Sequence, residues 1–191
     1  MLFRSENDPL GISQTARWFL GGVLHHARGL AAIVAPTVNS YKRLVRRATR
    51  SGATWAPVYV TYGASNRTQM IRIPGPGRIE VRVVDGAANP YLAPVALLAA
   101  GLDGIDQRMD PGAPNTANLY EASEEYLASR QICCLPGTLA EALDAFAEDR
   151  VLREALGEDY AAYYLAVKRL EWSAYHQSVS DWETDRYLLH C

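Results

Sequence analysis

Four arginines and one glutamate lie between Ser65 and Val83, interleaved with β-branched residues: Arg67, Arg72, Arg78, Glu80 and Arg82. A guanidinium is a rigid fork of donors that matches the paired oxygens of carboxylates and phosphates. A lone carboxylate among such groups can hold a divalent cation that bridges phosphate oxygens. These residue types therefore fit a polyanion site. They fit a solvated sheet face equally well, where charged cross-strand pairs are common and contribute little. Spacing alone leaves both readings open.

The segment itself must position these side chains. A strand sends alternate side chains to opposite faces. If residues 78–83 form a strand, Arg78, Glu80 and Arg82 share one face and Ile79, Val81 and Val83 the other. Arg72 alternates with Ile71 and Ile73 in the same way, and Pro74-Gly75-Pro76-Gly77 predicts a turn between the two strands. Pro57-Val58-Tyr59-Val60-Thr61-Tyr62 also alternates, and the expectation is a short antiparallel set of three strands.

Helices account for most of the remainder. Ser13 is placed to cap a helix over 14–33 with Ala16, Phe19, Leu20, Val23, Leu24, Ala27 and Leu30 on one apolar face. His25 and His26 are adjacent, so they point to different helix faces and are not expected to be metal ligands. At least one is expected to be a surface or packing residue. Pro36 should end that helix. Lys42, Arg43, Arg46, Arg47 and Arg50 form a basic run that enters the loop Ser51-Gly52-Ala53-Thr54. Asn89-Pro90 opens a helix over about 91–103, dense in Ala and Leu and expected to be largely buried. The stretch 119–127 is ambiguous. Thr138-Leu139-Ala140-Glu141 has the pattern of a capping box and predicts a helix to about 148. Asp149 starts a short helix ending near Gly157, and a longer one over 159–176 follows. Ser180-Asp181-Trp182-Glu183 caps the last. The tyrosines of this region and Trp172 are expected to pack rather than to cage a substrate. The fold class is therefore α+β, with a short antiparallel sheet packed with helices and a helical C-terminal third.

The composition is that of a globular chain: 191 residues, 49% hydrophobic, 21% charged, with a formal net charge of -2. That length suffices for one domain with a sizeable core. The charge balance argues against a nucleic-acid partner, so the arginine cluster is local. Cys133, Cys134 and Cys191 suit a reducing compartment and are expected to be free thiols. No run reaches membrane-spanning length, so no membrane partner and a cytoplasmic location are expected.

Several of these stretches, taken together, resemble glutamine synthetase. They are Val38-Asn39-Ser40-Tyr41-Lys42-Arg43-Leu44, Asn66-Arg67-Thr68 through Arg72-Ile73-Pro74, and Arg78-Ile79-Glu80-Val81-Arg82. Asp85 with Ala88-Asn89-Pro90-Tyr91-Leu92, Ala100-Gly101-Leu102-Asp103-Gly104-Ile105 and Asn118-Leu119-Tyr120-Glu121 continue in the same order. The resemblance covers nearly the whole chain and aligns it with the C-terminal half of that enzyme's catalytic domain. It implies a partial catalytic domain over 1–191, with no N-terminal domain. It also implies ATP-dependent ligation of glutamate with ammonia to glutamine through a γ-glutamyl phosphate.

What the resemblance implies for individual residues follows position by position. Glu80 matches a metal-binding glutamate for Mg2+ or Mn2+. Arg67 and Arg72 match arginines that contact ATP and the transferring phosphate, and these two are the catalytic candidates. Arg78 matches an arginine on the nucleotide side, while Arg43, Arg67 and Arg82 match arginines near the glutamate substrate. Three departures qualify the match. The family's remaining metal carboxylates, its metal-binding histidine motif and its N-terminal sheet domain precede the matched region, so the chain resembles half an active site. The flap loop is longer and carries Trp55 where a glutamate usually falls, which resembles the type III, or glnT-like, branch. That branch includes ligases that join glutamate to methylamine, so the acceptor is ammonia or a small amine. Tyr120 falls where some bacterial members are adenylylated, but the flanking residues differ and an ordinary structural role is expected. A non-catalytic subunit in a homo- or hetero-oligomer with full-length relatives is the competing expectation, since the family builds double hexameric rings.

Overall fold

The computed structural model describes residues 2–44, 57–64 and 67–188. Ser13 caps α1 (Gln14–His25) by accepting a hydrogen bond from Ala16 N. The single helix expected over 14–33 is broken at His26, where the backbone turns (φ -85°, ψ 4°) before α2 (Ala27–Val34) begins. His26 N–H still donates to Gly22 O, so the chain kinks without losing that bond. Past Pro36, Thr37 and Ser40 form a reciprocal capping box at the start of α3 (Val38–Arg43).

The sheet has three strands in the order β1 (Tyr59–Gly63), β2 (Gln69–Gly75), β3 (Arg78–Val81). β2 and β3 are antiparallel as expected, but β1 runs parallel to β2. The antiparallel set is thus corrected to a mixed sheet. Alternation of side chains is the same in both senses, so the sequence pattern could not distinguish them. Gly77 takes φ 71° in the β2–β3 turn, a left-handed conformation that glycine adopts without steric cost. β3 is shorter than the expected 78–83, yet Arg82 N donates to Met70 O and carries the ladder one residue further.

Helices cover the sheet and each other. α4 (Leu92–Asp106) lies along α1, where the backbones of Gly22 and Gly104 meet and Gly101 faces the Phe19 ring. Its Ala93, Ala96 and Ala100 are buried. Val95, Leu98 and Leu102 are exposed, so the expectation of a largely buried helix holds for one face only. The ambiguous stretch leads into α5 (Glu124–Ser129), capped by Ser123 and held through Leu127 against Val58, Tyr59 and Leu119.

Thr138 caps α6 (Leu139–Glu148) by accepting from Glu141 N, while the Glu141 carboxylate reaches back to Gly137 N rather than to Thr138 N. Asp149 caps α7 (Arg150–Leu156). α8 (Glu158–Gln177) docks on α6 and α7 through Ala161 and Tyr164, whose hydroxyl donates to Ala32 O. Beyond that contact α8 and α9 (Asp181–Tyr187) are mostly exposed, including Tyr163, Leu170 and Trp182. The expectation that the tyrosines and Trp172 of this region pack holds for Tyr164 and for Trp172, which stacks on His176, but not for the exposed Tyr163. Cys133 and Cys134 are free thiols. Among the described residues no helix is long and apolar enough to cross a membrane.

Candidate functional site

Register on β2 and β3 places Arg72 directly opposite Glu80. Arg72 Nη2 donates to Glu80 Oε2 at 2.7 Å, and Arg82 Nε lies 3.4 Å from Glu80 Oε1. Each oxygen of the one carboxylate therefore faces a guanidinium. The side chains of Arg72, Glu80 and Arg82 are 25%, 37% and 16% exposed, so the group is reachable from solvent yet partly shielded. Ile71, Ile73 and Val83 are buried on the core side, with Ile79 and Val81 partly buried against it. Glu80 points away from the apolar core, as alternation requires.

Arg82 is the most constrained member. Its Nη1 donates to the Arg67 carbonyl and reaches the Gln69 carbonyl at 3.5 Å. Burial pushes its pKa below the ordinary arginine value, Glu80 acts against that, and the Arg72 and Arg67 charges lower it further. The Tyr120 hydroxyl is near enough to act on it electrostatically. Arg82 remains a cation at any physiological pH. Arg72 Nε is buried and has no hydrogen-bond partner among the described residues, so the ion pair to Glu80 is made through Nη2 alone. Arg67 is exposed at the entrance to β2.

The start of β2 is fixed from behind by a polar network that residue types alone did not reveal. Buried Gln69 donates through Nε2 to Asn115 O at 2.8 Å, and Tyr126 donates to Asn115 Oδ1 at 2.9 Å. These bonds hold the 110–118 loop against β1 and β2 and so set the carbonyls that receive Arg82.

Arg43 joins from the end of α3, where Nη2 donates to Val83 O at 2.8 Å. It lines a cavity of about 440 Å³ with Thr37, Asn39, Ser40, Asp85 and Ala87. Val83 follows Arg82, so Arg43 and the arginine–glutamate cluster meet at the same end of β3. Arg78 is exposed at the other end, beside the hairpin turn, and makes no ion pair among the described residues. The structure thus brings Arg67, Arg72, Glu80 and Arg82 together and places Arg43 next to them. Arg78 stands apart. Arg46, Arg47, Arg50 and Trp55 lie outside the described residues.

The donor set does not by itself build a divalent-metal centre. Among the described residues no group of three His, Cys, Asp or Glu is arranged to hold an ion. Glu80 supplies one carboxylate, already shared by two guanidiniums, whereas Mg2+ requires near-octahedral oxygen coordination. What the cluster can do unaided is electrostatic: it presents surplus positive charge and oriented N–H donors to an oxyanion.

A second charged cluster escaped the sequence reading. His26 is buried between Asp103 and Asp149, 77 and 123 residues away along the chain. No local pattern signals such a bridge.

Comparison with known proteins agrees with the arrangement of these elements. Residues 1–187 match the family described as glutamine synthetase, catalytic domain. The glutamate–methylamine ligase of Methyloversatilis universalis is 48% identical over 185 residues, covering 97% of this chain and 41% of that enzyme. The glutamine synthetase of Rhizobium leguminosarum bv. phaseoli is 45% identical over 186 residues, covering 97% and 42%. A solved GmaS–ADP complex superposes with a TM-score of 0.87 at 49% identity, covering 98% of this chain and 42% of that one. The chain thus spans about two-fifths of the length of the relatives it matches. A family match along nearly the whole sequence, and a shared fold at close to half identity, leave one assignment: the chain belongs to the glutamine synthetase catalytic-domain family.

Proposed function

We propose that this chain contributes the phosphate- and glutamate-facing arginines of an ATP-dependent glutamate–amine ligase. In that reaction ATP phosphorylates the side-chain carboxylate of glutamate, and an amine displaces phosphate from the γ-glutamyl phosphate. The observation that carries the reading is the Arg72–Glu80–Arg82 cluster on adjacent strands, within a family match over residues 1–187. Phosphoryl transfer demands positioned cations around the transferring group more than covalent help from the protein. Arg72, whose side chain is a quarter exposed, and the exposed Arg67 are assigned to ATP and the transferring phosphate. Arg43, Arg67 and Arg82 are assigned to the glutamate substrate, and Arg78 to the nucleotide side. Glu80 is assigned as one ligand of a Mg2+ or Mn2+ ion, whose chemistry is to neutralise and align phosphate oxygens. The described residues hold no further ligands for it.

Ammonia is the acceptor in the primary reading. Methylamine is the second, favoured by the similarity to the glutamate–methylamine ligase and to GmaS. Within the family we place the chain in the type III, glnT-like branch, on the longer flap with Trp55. A cytoplasmic location and an oligomer, homomeric or with full-length relatives, accompany this reading.

Calorimetric titration of the purified chain with ATP tests the assignment. Binding is expected to be weak and to weaken with added salt, because it rests on screened charge contacts. Arg72→Ala should reduce affinity by about 1.5–3 kcal/mol, the range for a hydrogen bond to a charged group. Arg169→Ala, on the exposed face of α8, should cost under about 1 kcal/mol. Equal losses in the two variants would refute the assignment.

A further inference from the structure

His26 is 6% exposed at the kink between α1 and α2 and has a carboxylate on each ring nitrogen. Nδ1 lies 2.7 Å from Asp149 Oδ2, and Nε2 lies 3.0 Å from Asp103 Oδ2. The carboxylates come from different elements. Asp103 belongs to the last turn of α4. Asp149 is the residue between α6 and α7, and its other oxygen caps α7 by accepting from Leu152 N at 3.1 Å. One imidazole therefore ties the α1–α2 kink to the end of α4 and the start of α7.

Two carboxylates on one ring impose a protonation state. A neutral imidazole has one N–H and one lone pair, so one of its nitrogens would turn a lone pair toward a carboxylate oxygen. Only the imidazolium donates to both. The remaining charged or titratable groups around it are His25, whose ring stands edge-on with centroids 4.9 Å apart, and Arg28, Glu148 and Arg150, which line the same cleft. None of these is within hydrogen-bonding distance of the His26 ring, so Asp103 and Asp149 dominate. Burial alone pushes the ring toward neutrality, but the bonds and charges of Asp149 and Asp103 outweigh it and hold the pKa above the ordinary 6.5.

We propose that His26, Asp103 and Asp149 form a proton-operated latch, which holds the ends of α4 and α7 to the α1–α2 kink while the ring is doubly protonated. Loss of one proton removes one of the two bonds and leaves a partly shielded carboxylate facing a lone pair. A histidine whose pKa is higher folded than unfolded stabilises fully below about pH 6.5, and that stabilisation disappears as pH rises through the folded value. The latch shares no residue with the arginine–glutamate cluster, so it modulates the helical scaffold and not the cluster's own charge.

Hydrogen exchange followed by mass spectrometry on the full chain, from about pH 6 to pH 9 and corrected for intrinsic exchange rates, tests the latch. Peptides covering 100–106 and 149–153 should lose protection with one shared midpoint above about 6.5, while peptides covering β2 keep theirs. Asp103→Asn should move that midpoint downward, since it removes one of the two carboxylates. Nitrogen-15 NMR of the histidine rings in the unsubstituted chain gives an independent readout: one ring should keep both nitrogens protonated past pH 6.5 and titrate with that same midpoint. Protection independent of pH, a midpoint unmoved by Asp103→Asn, or a His26 ring that is neutral at about pH 6.5 would each overturn the latch. If Asp103→Asn does not fold, the ring titration and the exchange midpoint of the unsubstituted chain decide the matter together.

Discussion

Glu80 is the residue on which the arginine cluster balances. Its carboxylate neutralises part of the charge of Arg72 and Arg82, and under the proposed function it would also ligate a cation shared with phosphate oxygens. Glu80→Gln separates the two roles because it keeps the shape and removes the charge. With two uncompensated guanidiniums, the variant should bind metal-free ATP about fivefold more tightly, the equivalent of about 1 kcal/mol for a partly exposed charge. Magnesium, which should improve binding to the unsubstituted chain, should no longer do so. Calorimetry with and without the ion at constant ionic strength measures both effects. Weaker binding in both conditions would show that Glu80 only props the arginines.

The α1–α4 seam governs how the elements are spaced. Glycine at 22 and 104 lets the two helices approach until backbone meets backbone, a contact that tolerates no side chain, and Gly101 makes room for the Phe19 ring. A Cβ on Gly104 would run into Trp18 O and the Gly22 backbone, neither of which can rotate away. Gly104→Ala should therefore destabilise the fold by about 1–3 kcal/mol through overpacking, even though alanine in a free helix gains about 1 kcal/mol over glycine. Gly86 has open space around it and lies in the loop after β3, so Gly86→Ala should stay within about 0.5 kcal/mol. Urea midpoints of the two variants test this, and equal midpoints would mean the seam can widen at no cost. Because α4 leads directly out of the segment that follows β3, a widened seam is also expected to loosen the loop lining the Arg43 cavity.

At the scale of the molecule, apolar surface is distributed unevenly. Tyr91, Val95, Leu98 and Leu102 form an exposed stripe along α4, and Tyr163, Leu170, Val179, Trp182 and Leu188 are exposed on α8, α9 and their surroundings. Contiguous apolar surface of this kind promotes association. The chain is accordingly expected to self-associate at micromolar concentration. Sedimentation velocity over a dilution series should show mass rising with concentration, and a single monomeric species throughout would contradict it. Leu98→Glu, with the charge placed on the α4 stripe, should shift the distribution toward smaller species if that stripe participates.

The sequence by itself determined whatever depends on near neighbours. The alternation in Arg78-Ile79-Glu80-Val81-Arg82 separated a charged face from an apolar one, because strand geometry repeats every two residues. Ser13 and the Ser180–Glu183 pair announced their helices, because a cap is made within one turn. The ordered set of motifs pointed to the family. Tertiary structure decided the rest. Parallel pairing of β1 with β2 was invisible, since alternation does not encode strand sense. The Ala- and Leu-rich composition of α4 could not say which of its faces would be covered. The helix expected over 14–33 kinks at His26, which is held by carboxylates 77 and 123 residues away. A local pattern constrains a residue's own turn or strand; only packing brings distant charges within 3 Å of one ring and so fixes where the helix breaks and which proton it needs.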